Sequence, residues 1–239
     1  MIEVRGSVVL PAEREEIELV TDDGLVLVGE LACPVNRPPV ATLVTFHPLP
    51  THGGFMDSHI IRKAAARLPA LATVAVLRFN FRGVTSPRGT SGGIFGEGVA
   101  ERHDLAAALH FVAARSLPHP WLLGWSFGTE VVLKHGLGYP IDGAILLSPP
   151  LRRTSVEELS AWAHAPVRLV AVIPELDDYL RPAEASSRFA VVPQTEVVAV
   201  TGGKHLWVGE DQTYRVLSEI VQRLNPDALP LPREWPPAG

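Results

Sequence analysis

Trp121-Leu122-Leu123-Gly124-Trp125-Ser126-Phe127-Gly128-Thr129-Glu130-Val131-Val132-Leu133 is the stretch that decides the fold of this chain. Its first part is a short apolar run of strand length. Residues 127–137 then read as a helix, closed by Gly136 and Gly138. A strand therefore runs straight into a helix, with Ser126 at the corner. Glycines two residues to either side leave room for the backbone to pass close to its neighbours. The helix behind the corner aims its free N–H groups and positive dipole end at whatever negative charge develops there. In such a context a serine is held out as a nucleophile.

Outward from that corner, apolar strand runs alternate with helical patterns, the mark of a parallel sheet covered on both faces. Residues 16–21 and 25–32 alternate like a hairpin around Asp22-Asp23-Gly24. Buried-type strands are expected at 40–46, 73–79, 121–125, 144–147, 167–173 and 195–200. Helices are expected at 57–71, with Asp57 or Ser58 as N-cap, at 101–115, and from His205 to about Asn225. A glycine-rich loop spans 82–98. Between Ser148 and Pro166 there is room only for a short helix, so no large cap domain is expected. The reading is one α/β domain over residues 1–225, with about eight strands, mostly parallel. A proline-rich tail, 226–239, is expected to lie extended on the surface or loosely ordered.

Composition narrows the function class. The chain has 239 residues, 46% hydrophobic and 20% charged, with a formal net charge of -5. That is ordinary globular composition, without the basic footprint of a nucleic-acid binder. The single cysteine, Cys33, excludes an internal disulfide framework and reads as structural. Residues 1–10 lack the apolar core of a secretory signal, and no apolar run approaches the roughly 18 residues of a membrane span. The expectation is a cytoplasmic protein acting on a small molecule, with neither nucleic acid nor membrane as partner.

The pattern Gly-x-Ser-x-Gly occurs a second time, at Gly89-Thr90-Ser91-Gly92-Gly93. Ser91 lies inside the glycine-rich loop, with neither strand before it nor helix after it, so Ser126 is the candidate. A serine hydroxyl needs a histidine to take its proton, and that histidine needs a carboxylate to fix its tautomer. After an elbow of this kind the chain order is serine, acid, histidine. Of the histidines that follow Ser126, His135 falls in the next helix and His164 precedes a strand, at the wrong end of the sheet. His205 follows the last strand, at the end where the elbow opens. The acid should follow the strand at 167–173, where Asp177 and Asp178 compete and Glu175 is a weaker third. An oxyanion would need two backbone donors. Phe127 N–H is one. In the loop after residues 40–46, Pro48 and Pro50 have no N–H, which leaves Leu49 as the other. His47 and His52 in that loop have no carboxylate or cysteine cluster at ligand spacing, so no metal and no cofactor are expected.

These residues resemble the small, cap-less bacterial α/β-hydrolases related to dienelactone hydrolase, described as predicted esterases. The resemblance covers about residues 40–224. It rests on His47-Pro48-Leu49-Pro50 with Gly53-Gly54 and Met56, and on Leu77-Arg78-Phe79-Asn80-Phe81-Arg82-Gly83-Val84. It rests also on Ser91, Gly93, Phe95, Gly98, Glu101 and Asp104, and on the elbow itself. The family's acid loop falls on 174–180 and implies Asp177 as the acid. Its histidine loop falls on Gly203-Lys204-His205. The chain departs from the pattern at Leu49, which replaces a histidine, at Pro174, which replaces a glycine, and at residues 85–89, which the pattern lacks. Dienelactone hydrolase itself uses cysteine, so Ser126 implies ester chemistry instead.

The expectation is thus an α/β-hydrolase fold and a serine esterase acting through Ser126, His205 and Asp177, with Leu49 and Phe127 as oxyanion donors. Phe55, Met56, Trp162, Tyr179 and Trp207 are candidates for an apolar substrate pocket. An acyltransferase, thioesterase or peptidase with the same residues, or a binding protein on the scaffold, is the alternative.

Overall fold

The computed structural model describes residues 1–236. Eight strands form the central sheet: β1 (Glu13–Val20), β2 (Val26–Cys33), β3 (Ala41–Phe46), β4 (Val74–Phe79), β5 (Pro120–Trp125), β6 (Gly143–Leu147), β7 (Arg168–Pro174) and β8 (Glu196–Val200). Their order across the sheet is β8-β7-β6-β5-β3-β4-β2-β1. The β1–β2 and β2–β4 pairs are antiparallel and all the others parallel. The hairpin turns where expected. Gly24 supplies a φ of 84°, and Thr21 Oγ1 donates to Asp23 Oδ1 at 2.6 Å.

Among the described residues, six helices flank the sheet: α1 (His59–Ala72), α2 (Glu101–Ala114), α3 (Phe127–His135), α4 (Val156–Ser160), α5 (Pro182–Phe189) and α6 (Glu210–Leu224). The two-residue period of the strands divides the core between them. On β5, Leu122 faces a cluster shared with α2, α3 and α5. Trp121, Leu123 and Trp125 face a second cluster shared with α1 and α6. Parallel strands buried on both faces explain why the central sequence reads as unbroken apolar runs.

Local chemistry moves several boundaries. Ser58 occupies the cap position of α1, but its Oγ accepts from Phe55 N–H and caps nothing, while Asp57 pairs with Arg78 and Arg88. His205 does not open the last helix. Trp207 at φ 52° and Gly209 at φ 106° interrupt helical geometry, so α6 begins at Glu210 and His205 stays in a loop. The segment between β6 and β7 holds only α4 and a 3₁₀ turn at Ala161–His164.

Beyond α6, a 3₁₀ turn at Pro226–Ala228 leads to Leu231, which is buried among residues of α1 and α6. Glu234–Trp235 then pairs antiparallel with Ile2–Glu3. Of the tail expected over 226–239, residues 237–239 lie outside the described residues. No helix among the described residues is long and apolar enough to cross a membrane.

Candidate active site

Ser126 stands between β5 and α3 at φ 51° and ψ -115°, a conformation that an L-residue rarely adopts. Its N–H donates to Leu147 O on β6 at 2.9 Å, and its carbonyl accepts from Thr129 N–H at 2.9 Å. The two flanking glycines are demanded by contact. A Cβ at Gly124 would come within 2.6 Å of the Thr129 backbone, and one at Gly128 would meet Phe46 O at 2.0 Å. The close approach at Gly128 seats the elbow directly against the end of β3.

His205 and Asp177 arrive from the loops after β8 and β7. Ser126 Oγ and His205 Nε2 lie 2.9 Å apart, and His205 Nδ1 lies 2.9 Å from Asp177 Oδ2. An ionised carboxylate can only accept, so Nδ1 carries the ring proton and Nε2 is left to accept from the serine hydroxyl. Asp177 is 3% exposed. Burial pushes its carboxyl up, but the His205 ring and the N–H groups of Leu180 and Tyr179 outweigh that and hold it below the usual value. The neighbouring acids point elsewhere. Asp178 is exposed, and Glu175 accepts from Gly202 N–H at 2.7 Å.

Among the described residues, neither Leu49 N–H nor Phe127 N–H donates a hydrogen bond within the chain. Phe127 is the first residue of α3, where the N–H has no helical partner. The loop that carries Leu49 is braced by His47. Its ring is 1% exposed, with Nδ1–H on Pro48 O at 2.7 Å and Nε2 accepting from Phe81 N–H at 3.1 Å. Burial lowers its pKa to about 4 against the opposing pull of the Pro48 carbonyl, so the ring is a neutral strut between the loops after β3 and β4. His52 is exposed and engages only Thr51.

Motif reading missed the support behind His205. Ser148 Oγ donates to the His205 carbonyl at 3.2 Å, Trp125 Nε1 donates to the same carbonyl at 3.3 Å, and Trp207 Nε1 donates to Ser148 Oγ at 2.7 Å. His59 Nε2 holds the next carbonyl, that of Leu206, at 2.6 Å. These partners are far apart in the chain and act on backbone oxygens, so no spacing announces them. Ser91 has the opposite fate. It is buried, donates to Asn80 O and accepts from Val28 N–H, tying the glycine-rich loop to β2.

The pocket candidates divide. Trp162 and Trp207 are 0% exposed and Met56 is 1%. The Trp162 N–H is satisfied by Leu133 O and the Met56 N–H by Asn80 Oδ1. Their side chains are fully buried, which makes these three core residues and not pocket walls. Tyr179 is about half exposed, with its ring 4.6 Å from that of His205. Phe55 is half-buried and lines a cleft of about 450 Å³.

Solved structures share this arrangement of strands and helices. An α/β serine hydrolase homologue from Coxiella burnetii matches with a TM-score of 0.74 and 24% identity, over 88% of this chain and 97% of that one. An α/β serine hydrolase without lid from Xanthomonas campestris matches with a TM-score of 0.70 and 26% identity, over 97% and 99% of the two chains. An esterase from Pyrococcus furiosus matches with a TM-score of 0.70 and 18% identity, over 92% and 98%. No protein-family model and no curated protein sequence matches the chain. With its eight-stranded sheet, its elbow at Ser126 and no cap between β6 and β7, the chain is a lidless protein of α/β-hydrolase fold, similar to small serine hydrolases.

Proposed function

We propose that the protein hydrolyses small carboxylic esters through an acyl-enzyme on Ser126. The observation that carries this reading is the continuous hydrogen-bonded chain Ser126–His205–Asp177 at 2.9 Å per link, with the N–H of Phe127, the residue after the nucleophile, unengaged. Ser126 Oγ attacks the acyl carbon while His205 Nε2 takes its proton. The carbonyl oxygen becomes an oxyanion, received by the N–H groups of Leu49 and Phe127. Asp177 stabilises the imidazolium without taking its proton. Collapse breaks the ester C–O bond, and the departing alkoxide leaves as an alcohol with the proton from His205. Water then attacks the acyl-serine, giving its proton to His205. The second intermediate releases the carboxylic acid and returns the proton to Ser126. No cofactor enters either half.

The test is hydrolysis of short p-nitrophenyl esters, together with labelling by a fluorophosphonate, by wild type and Ser126→Ala. Wild type should turn over and label, and the variant should do neither. Equal hydrolysis by the two proteins would sink the assignment.

A further inference from the structure

Residues 85–89, which the resembled pattern lacks, are not a slack loop. Thr85–Ser86 and Gly89–Thr90 pair as an antiparallel ribbon. From its tip Arg88 reaches back to Glu30 at 3.0 Å and to Asp57 at 3.0 Å, and Asn80 Nδ2 donates to Ser86 Oγ at 2.8 Å. The ribbon is thus stapled upright opposite the loop that follows β3. The two enclose the cleft of about 450 Å³, a volume within the roughly 300–1,000 Å³ of small-ligand pockets. Phe55, Phe95, Val84, Pro50 and Pro87 give it apolar walls. The charged residue among its lining, Arg82, has its guanidinium committed to Asp104 and Asp23. Of its lining residues, Pro50 follows Leu49 in the chain, and the Phe95 ring stands 5.3 Å from that of Phe127. The lining of the cleft therefore adjoins both residues that carry the candidate oxyanion donors.

Sheet order says which half of an ester belongs there. The cleft is built from the loops after β3 and β4, on one side of β5. His205 and Asp177 come from the loops after β8 and β7, on the other side. The leaving alcohol must face His205 to receive its proton, so the acyl group faces the cleft. We propose that the cleft is an acyl subsite for uncharged, apolar chains, and that the ribbon at Thr85–Thr90 sets the chain length it accepts. The proposal rests on the ester-hydrolase reading and deepens it.

The test is kcat/KM for p-nitrophenyl acetate, butyrate and hexanoate with wild type, Thr85→Trp and Phe55→Ala. Each acyl methylene that enters the cleft should raise wild-type kcat/KM about four-fold. Thr85→Trp, an exposed ribbon position where an aromatic side chain suits a strand, narrows the cleft. It should cut the hexanoate-to-acetate ratio about ten-fold, the worth of nearly two methylenes. Phe55→Ala widens the cleft and should move the optimum to a longer chain. Ser126-dependent hydrolysis with that ratio unmoved in both variants would overturn the subsite and leave the hydrolase standing. A shift seen with alkyl acetates of increasing alcohol length, and not in the acyl series, would overturn the acyl assignment. No Ser126-dependent hydrolysis of any ester would overturn both.

Discussion

Asp177 shows how a single side chain is chosen by its backbone. Its Oδ1 accepts from Tyr179 N–H at 2.8 Å and Leu180 N–H at 3.0 Å, which aims Oδ2 at His205. Asp178, one residue on, is exposed. Asp177→Asn should therefore lower kcat on a p-nitrophenyl ester by about 10⁴-fold, because an amide can stabilise the wrong histidine tautomer. Asp178→Asn should leave kcat within about two-fold, the ordinary result of a solvated surface change. The reverse ranking would reassign the acid. Spacing along the chain left these two aspartates level, and only the family resemblance favoured Asp177. The deciding bonds are backbone N–H groups of the turn, which carry no residue signature. Ser126 and His205 were easier to read, because strand-to-helix context and chain order are properties of sequence pattern. The Trp162 and Trp207 side chains are buried in the core, which no sequence pattern announces. The sequence position of a large aromatic says nothing about whether it packs inward or lines a cleft.

At the scale of elements, the sheet was legible because each parallel strand is an apolar run of the right length bounded by turn residues. The start of α6 was not, since it depends on positive φ at Trp207 and Gly209 and on an ionic anchor beyond local propensity. That anchor is Glu210. It accepts from Arg67 Nη1 at 2.9 Å, Lys63 Nζ at 3.2 Å and Gly6 N–H at 2.5 Å, fastening the first turn of α6 to α1. Burial pushes its carboxyl up, but Arg67, the Gly6 N–H and Lys63 outweigh this and bring its pKa down to about 2. The unfolded chain should titrate it near 4.3, so the folded state favours the charged form. Its stabilisation is full above that pH and is lost as pH falls towards about 2. Discounted for its partial exposure, the contribution is about 1–2 kcal/mol. Glu210→Gln should therefore unfold at lower urea than wild type at pH 7. The gap should close progressively below about pH 4.3. A gap that stays constant down to acid pH would mean that the carboxylate's charge is not what holds α6.

Across the whole molecule, residues 2–4 and 226–235 meet on the side of the sheet that carries α1 and α6. Val4 N–H donates to Arg233 O at 2.8 Å, Tyr214 Oη donates to Leu231 O at 3.0 Å, and Arg233 stacks 4.1 Å over the Tyr214 ring. The proline-rich composition of this segment is visible in the sequence. The leucine that anchors it is not, because one apolar residue among prolines has no period to reveal a buried face. Leu231 is 3% exposed within the α1/α6 cluster, so the segment around it acts as a strap over those helices. Leu231→Ala removes the buried side chain and leaves a cavity that prolines on either side cannot collapse to fill. The cost should be roughly 2–5 kcal/mol, read as a lower urea midpoint at unchanged m-value. Ser126 lies at the C-terminal edge of the sheet, held by β5, β6 and α3 and not by this strap. Fluorophosphonate labelling of the folded variant should therefore proceed at the wild-type rate. A midpoint shift below about 0.5 kcal/mol, the size of an ordinary surface change, would show that the segment merely lies on the molecule.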